Sequence, residues 1–397
     1  MSLKGDAPLP SEVSALYTLD CKLGEGAYGE VYKACLQVSM HQRRRRHVAL
    51  KRCFGCLDPS DVLTLQRTYR EVAVLRQLHH RHIVALRGAV LPEACSDLYL
   101  SFDVVDADLE RTIRTSELTE RQQGRITCHV LRALAYLHCS MLVHRDVKPS
   151  NILVSKSGRA TLCDFGLVRY VGPYPRALTE YVGMRWYRAP ELLLGSRRYS
   201  GGVDVWSLGC VVGEMPLGRP LLQGCSAVEQ LALIVGLLLG RPPDEDEADI
   251  AGVEPEAVEA FLRTQPAGEP LDRRLAGAAA GSADVVAFVR SCLALSPSSR
   301  PSARDLLTTH PFLARHRLHS DDVSFMEHVS LSLRDDVVHA PQQYMDALAS
   351  EIALLRDSGD ARGGVGGLED GDDSDDDADD DDESSACESI GSSVEDG

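Results

Sequence analysis

His144-Arg145-Asp146-Val147-Lys148-Pro149-Ser150-Asn151 is followed, eighteen residues after Asp146, by Asp164-Phe165-Gly166. Two carboxylates, an amide and a lysine are the groups that hold a divalent cation and anionic oxygens. Singly, such residues in loops are turn formers, caps or solvated charges. Their register argues otherwise, because a chain this long matches five fixed positions by chance only about once in 10⁴.

Toward the amino terminus, Leu23-Gly24-Glu25-Gly26-Ala27-Tyr28-Gly29-Glu30-Val31 reads as a glycine-rich hairpin between strands. There, backbone N–H groups can approach phosphates without Cβ atoms in the way. Lys51 follows Gly29 by 22 residues in Val48-Ala49-Leu50-Lys51 and is placed to meet the α and β phosphates of a nucleotide. A buried strand lysine needs a partner to stay charged, and Glu71 on the next helical pattern is the candidate. With ATP as that nucleotide, Asp146 would accept or orient the proton of an attacking hydroxyl and Lys148 would neutralise γ-phosphate charge. Asn151 and Asp164 would supply the oxygen ligands Mg²⁺ prefers.

The chain has 397 residues, 44% of them hydrophobic, which is enough for two cores and a tail. Its net charge of −17 is lopsided. Residues 369–397 hold 15 Asp or Glu and no Lys or Arg, leaving 44 acids against 42 bases elsewhere. The body is nearly neutral and no nucleic-acid-binding face is implied, the one concentrated basic run being Arg43 to Arg46. Twelve scattered cysteines in no metal-ligand spacing point to a reducing compartment. The expectation is a soluble monomer without membrane or lipid anchor, in the cytoplasm with the nucleus as an alternative. Cys163, directly before Asp164, is a candidate thiol in the nucleotide site, although a buried inert cysteine is the commoner case.

From Tyr17 the apolar residues alternate as in strands, then Thr64 to Leu78 places Val72, Leu75 and Leu78 at helical spacing. From about residue 109 the pattern is helical, including Ile126 to His138, Asp204 to Met215 with Pro216 as its stop, and Val228 to Leu239. Residues 241–283 read as a loosely packed insert, Tyr344 to Leu355 as a last helix, and the acidic tail as disordered. Within the tail, Ser374, Ser385 and Ser393 each precede an acid by three residues, the pattern an acid-preferring kinase takes.

From Tyr17 to about Phe312 the chain resembles a eukaryotic protein kinase. Between Asp164-Phe165-Gly166 and Ala189-Pro190-Glu191 lie Thr179-Glu180-Tyr181 and Arg185-Trp186-Tyr187-Arg188, which resemble the extracellular-signal-regulated type of mitogen-activated protein kinase. The resemblance implies an α+β, bilobal fold with a small β-rich N-lobe and a larger helical C-lobe. It sets a 1–16 arm, a 17–105 N-lobe with hinge, and a 106–313 C-lobe with the insert. A 314–357 extension packing on the kinase and a 358–397 tail complete the chain. It further implies ATP and Mg²⁺ as cofactors, serine/threonine specificity through Lys148, and switching by phosphorylation of Thr179 and Tyr181. Arg70, Arg145 and Arg169 would bind the first phosphate, and Arg185 and Arg188 the second.

Gly183 occupies the position that favours proline after the target residue, so substrates with Ser-Pro or Thr-Pro sites are implied. An upstream dual-specificity kinase and phosphatases are implied as partners. Phe102 aligns with the gatekeeper, Asp103 to Val105 with the adenine hinge, and Leu23, Val31, Ala49 and Leu153 with the adenine sandwich. Two departures stand out. Met184 replaces a threonine whose hydroxyl reaches the Asp146 and Lys148 region, and the acidic docking patch keeps Asp321 and Asp322 but has Leu318 at its first position. Met184 keeps open an alternative, a nucleotide-binding scaffold without useful catalysis.

Overall fold

The computed structural model describes residues 9–26, 29–37, 46–93, 95–171, 184–196, 199–239, 268–277, 282–316, 329–334 and 337–362. Contact density divides the chain into Met1–Arg356 and Asp357–Gly397; of the second unit only helical backbone to Arg362 is described. The expectations for Ala27, Tyr28, Arg43 to Arg45, Thr179, Tyr181, Gly183, Leu318, Asp321, Asp322 and the acidic tail fall outside the described residues.

The first unit opens with a short helix α1 (Ser11–Ser14) and an antiparallel sheet of five strands. The strands are β1 (Tyr17–Gly26), β2 (Gly29–Leu36), β3 (His47–Cys53), β4 (Leu86–Val90) and β5 (Leu98–Asp103), in spatial order β1-β2-β3-β5-β4. Alternation decides which face each residue takes. Tyr17, Ala34, Val48, Leu50 and Tyr99 close one face under α1. On the other, Leu98 and Leu100 join the core with Leu65, Val72 and Leu75 of helix α2 (Val62–Gln77). Asp61 caps α2 by accepting the Thr64 N–H at 3.0 Å, which satisfies one of its orphan donors.

The larger lobe is helical. Short helix α3 (Leu109–Thr115) leads to α4 (Glu120–Cys139), opened by a reciprocal Thr119/Gln122 capping box. Two-residue strands β6 (Ala107–Asp108), β7 (Leu142–Val143) and β10 (Arg169–Tyr170), with β8 (Ile152–Val154) and β9 (Ala160–Leu162), pin the loops that carry the quoted motifs. After the one-turn α5 (Pro190–Leu193) comes α6 (Gly202–Leu217), whose Val203, Val205, Trp206, Leu208, Val211 and Val212 are fully enclosed. Each such side chain contributes about 1.5–3 kcal/mol on burial, so this helix anchors the lobe. A Cβ on Gly209 would come within 2.5 Å of Cys292 Cβ, which is how closely helix Ala283–Cys292 crosses it.

Three boundaries differ from the reading of sequence. Pro216 does not stop α6, which runs to Leu217 and ends at Gly218, with φ of 66° and its N–H on Glu214 O at 2.9 Å. Pro216 cannot donate the backbone bond to Val212 O, a cost the buried helix absorbs, and the left-handed Gly218 is the terminator. Part of the expected loose insert is ordered: helix Leu271–Ala276 buries Leu271 and Leu275. The last helix runs longer than expected, from Pro341 to Arg362. No helix among the described residues is long and apolar enough to cross a membrane.

Candidate active site

Strand β3 directs Lys51 toward α2, where its Nζ donates to Glu71 Oε1 at 2.8 Å and to Asp164 Oδ1 at 3.3 Å. Burial works against the Lys51 charge, but the Glu71 and Asp164 carboxylates outweigh it and hold the pKa well above the ordinary lysine value. In return, the Lys51 cation holds Asp164 below the usual carboxylate range against its own burial. Asp164 has a positive φ of 63°, and Phe165 beside it is fully enclosed with its ring edge-on to His144 at 4.9 Å.

Asp146 sits across from this triad on the loop after β7. Its Oδ2 accepts from Lys148 Nζ at 2.7 Å and from Asn151 Nδ2 at 2.8 Å, and Asn151 also holds the Asp146 carbonyl at 2.8 Å. The Asn151 amide nitrogen is thereby spent, leaving its oxygen as the atom for a cation. An ionised carboxylate and an amide oxygen fit Mg²⁺, which takes one or two protein ligands and completes its shell with phosphate and water.

The loop owes its shape to Asp204, the fully buried acid in the first turn of α6. Asp204 Oδ2 accepts the His144 N–H at 2.9 Å and Oδ1 the Arg145 N–H at 2.7 Å, while His138 Nε2 lies 2.9 Å from Oδ2. Burial raises its pKa, and the bonds from His138 and the loop more than reverse that. Arg145 has a φ of 66°, a conformation that a non-glycine residue keeps only when its surroundings over-determine it. The two backbone bonds do this.

The glycine hairpin is β1 and β2, with Gly26 facing Gly29. A Cβ on Gly24 or Gly26 would meet nothing within 4 Å, so this face is open, whereas one on Gly29 would sit 2.0 Å from Arg52 O. Glu25 and Glu30 both pair with Lys22, at 2.8 and 2.6 Å, and clasp the hairpin from its side. Leu23 is exposed and Val31, Ala49 and Leu153 are half-buried, as lining of a cleft requires; Phe102 is buried opposite Ala49. The Asp103 side chain is occupied, by Arg87 Nε at 2.8 Å and Arg46 Nη2 at 3.2 Å, leaving its backbone and that of half-buried Val105 to meet a base. Burial, with the Asp164 carboxylate beside it, drives the half-buried Cys163 thiol far up, which disfavours the reactive thiolate.

Three of the predicted phosphate-binding arginines converge on one segment. Arg70 Nη1 reaches Val168 O at 3.5 Å, Arg145 Nε donates to Leu167 O at 2.8 Å, and Arg169 lies buried in β10 beside them. Arg145 Nη1 also donates to Tyr199 Oη at 2.6 Å. Arg188 is buried and Arg185 exposed. A shallow recess lies beside Asp146, with Met184, Tyr187 and Arg188 among its walls. Sequence reasoning missed Asp204 and a second buried support. Arg300 grips Glu191 through two bonds of 2.6 and 2.7 Å, both side chains fully enclosed, with the guanidinium 4.9 Å over Trp206.

A lysine bridged to two carboxylates, facing a glycine hairpin and a second carboxylate loop across two lobes, defines a phosphotransferase of the protein kinase class. The family model described as protein kinase domain matches residues 17–313. The chain is 33% identical over 339 residues to extracellular signal-regulated kinase 2 of Dictyostelium discoideum, covering 83% of this chain and 88% of that one. It is 35% identical over 364 residues to mitogen-activated protein kinase 15 of Mus musculus and 38% over 318 to that of Rattus norvegicus. These alignments cover 90% and 78% of this chain but 64% and 56% of the rodent proteins, which are longer. The chain belongs to the mitogen-activated protein kinases. Serine/threonine phosphorylation of protein substrates, with ATP and a divalent metal and under upstream regulators, comes with that family.

Proposed function

We propose that the protein is a proline-directed serine/threonine kinase using Mg²⁺ and ATP, activated by phosphorylation of Thr179 and Tyr181. The observation that carries this reading is the simultaneous assembly of the Lys51–Glu71–Asp164 bridge and the Asp146–Lys148–Asn151 network. Lys51 neutralises the α and β phosphates while Glu71 keeps it charged and aimed. Asp146 orients the target hydroxyl and receives its proton, and Lys148 offsets charge on the transferring group. Asn151 and Asp164 would hold Mg²⁺, which would supply charge neutralisation for the ATP phosphates.

The switch follows from the arginines. Arg70 and Glu71 are neighbours on α2, so a phosphate on Thr179 drawing on Arg70, Arg145 and Arg169 would stiffen the helix that positions the Lys51 bridge. Arg185 and Arg188 would serve phospho-Tyr181. Proline preference rests on Gly183, whose backbone freedom lets a carbonyl turn from the substrate. Exposed Met184 at the wall of the recess beside Asp146 is the one observation favouring the scaffold reading, since a thioether cannot replace a hydroxyl's hydrogen bonds. The test is transfer from Mg-ATP to paired Ser-Pro and Ser-Ala peptides, using chain phosphorylated on Thr179 and Tyr181 and Asp164→Ala as control. Transfer to Ser-Pro alone, lost in the control, supports the proposal. Absence of transfer despite nucleotide binding favours the scaffold.

A further inference from the structure

Residues 329–334 and Val337, well beyond the kinase domain match, return to the N-lobe and lie along one face of α2. Gln77 makes a reciprocal pair with Ser330, donating to its carbonyl at 2.9 Å and accepting its N–H at 3.0 Å. Gln66 Nε2 reaches Val337 O at 3.4 Å. Between them Tyr69, 2% exposed, accepts the Leu333 N–H on its hydroxyl at 3.0 Å and shares a 2.8 Å hydrogen bond with Ser332 Oγ. Tyr344 of the last helix packs its ring 6.1 Å from that of Tyr69, and Arg76 pairs with buried Glu351 at 2.6 Å. Gln66, Tyr69, Arg76 and Gln77 sit at helical spacing, so the strap grips the face of α2 turned away from Glu71.

Ser332 is the one hydroxyl of this strap that is both exposed and bonded to the helix. It precedes Asp335 by three residues and Asp336 by four, the spacing an acid-directed serine kinase recognises. It is followed by Leu333 rather than proline, so it is not a target of the chain's own proposed specificity.

We propose that Ser332 is a regulatory phosphorylation site whose modification unfastens the strap from α2. The Ser332 Oγ–phosphorus bond forms as the bond from the γ-phosphorus of ATP to its bridging oxygen breaks. ADP leaves, and the hydroxyl proton passes to the carboxylate base of the modifying kinase. The product carries three more oxygens and about −1.5 to −2 charge where Oγ had touched a buried tyrosine hydroxyl. Arg76, the cation on this helix face, is already held by Glu351. The phosphate therefore turns to solvent, the Tyr69 bond is lost, and Leu333 loses its register on the helix. Because α2 also carries Glu71, loosening it lowers catalysis; that last link rests on the functional reading above.

The test uses the full chain with Ser374, Ser385 and Ser393 replaced by alanine, treated with an acid-directed serine kinase and ATP. Mass spectrometry should place a phosphate on Ser332. Amide exchange at Leu333 should then quicken by about fivefold or more, the factor that loss of one hydrogen bond carries. Peptide phosphorylation should fall in parallel. Ser332→Ala should quicken exchange without added charge, and Ser332→Thr, which keeps the hydroxyl, should restore both exchange and activity. No phosphate on Ser332 under conditions that modify the tail serines of the unaltered chain would overturn the proposal. So would a phosphorylated Ser332 with unchanged exchange at Leu333. Lack of transferase activity in the untreated chain would count against the functional reading alone, since exchange is read without it.

Discussion

Glu71→Gln separates the charge of the Lys51 bridge from its shape. Glutamine keeps the side-chain length and offers an amide oxygen to the same 2.8 Å bond from Lys51 Nζ, so α2 has no steric reason to move. What goes is the carboxylate that does most to keep Lys51 charged. The bond stays and only its charge goes, so the loss is the difference between a charged and a neutral hydrogen bond, about 1–1.5 kcal/mol, which converts to about a 5- to 13-fold loss of kcat/KM. A second effect follows from Asp164, at 3.3 Å the remaining carboxylate partner of Lys51. The lysine should lean toward it and compete for the oxygen assigned to Mg²⁺, raising the metal concentration needed for half-maximal rate. The assay is initial-rate transfer to a Ser-Pro peptide over a matrix of ATP and Mg²⁺, with urea unfolding run alongside. A kcat/KM within about twofold of the parent, at equal stability, would refute the claim that this pair serves phosphate binding.

Arg300→Met should cost about 3–5 kcal/mol in urea unfolding by leaving Glu191 buried and unpaired, and adding Glu191→Met should recover most of that loss. His82 and His129 stack at 4.1 Å, and burial holds their pKa values at about 3 and about 2, below the ordinary 6.5. Depressed folded values mean stability that is full above about pH 6.5 and lost as pH falls; at about pH 5 each group costs about 2 kcal/mol. His129→Gln should therefore show a shallower acid slope in unfolding free energy, and an identical slope would contradict the assignment. Glu214 has the opposite sign: burial beside Tyr187 pushes it up to about 7, so its contribution fades between about pH 4.5 and 7, and Glu214→Gln should remove that decline. Met184→Thr should raise peptide phosphorylation about fivefold by restoring one hydrogen bond at Asp146 or Lys148; an unchanged rate would make Met184 a neutral substitution.

Two juxtapositions were legible from chain spacing: Lys51 with Glu71 and Asp164, although Lys51 and Asp164 are far apart in sequence, and Asp146 with Asn151. Helix cores were legible for the same reason, periodicity being a local property. Asp204 was not. An acid in a first helical turn is the ordinary complement to the helix dipole, and nothing local marks the one whose oxygens reach across to His144 and Arg145. Arg300 lies in a Pro-Ser-Ser-Arg-Pro stretch that reads as solvated loop, and only tertiary packing encloses it with Glu191. The Ser332 contact with Tyr69 joins residues separated by most of the chain, beyond the reach of any pattern along it.

Asp204 also bears on how nucleotide binding distributes its free energy. Because one carboxylate rooted in the C-lobe core holds the His144 and Arg145 amides, the protein's own hydrogen bonds fix the strained form of the Asp146 loop. Little ordering entropy is left for ATP to offset there. Ligand energy can instead go to drawing α2 and the glycine hairpin together, so the C-lobe half of the site acts as a template and the N-lobe half as the part that responds.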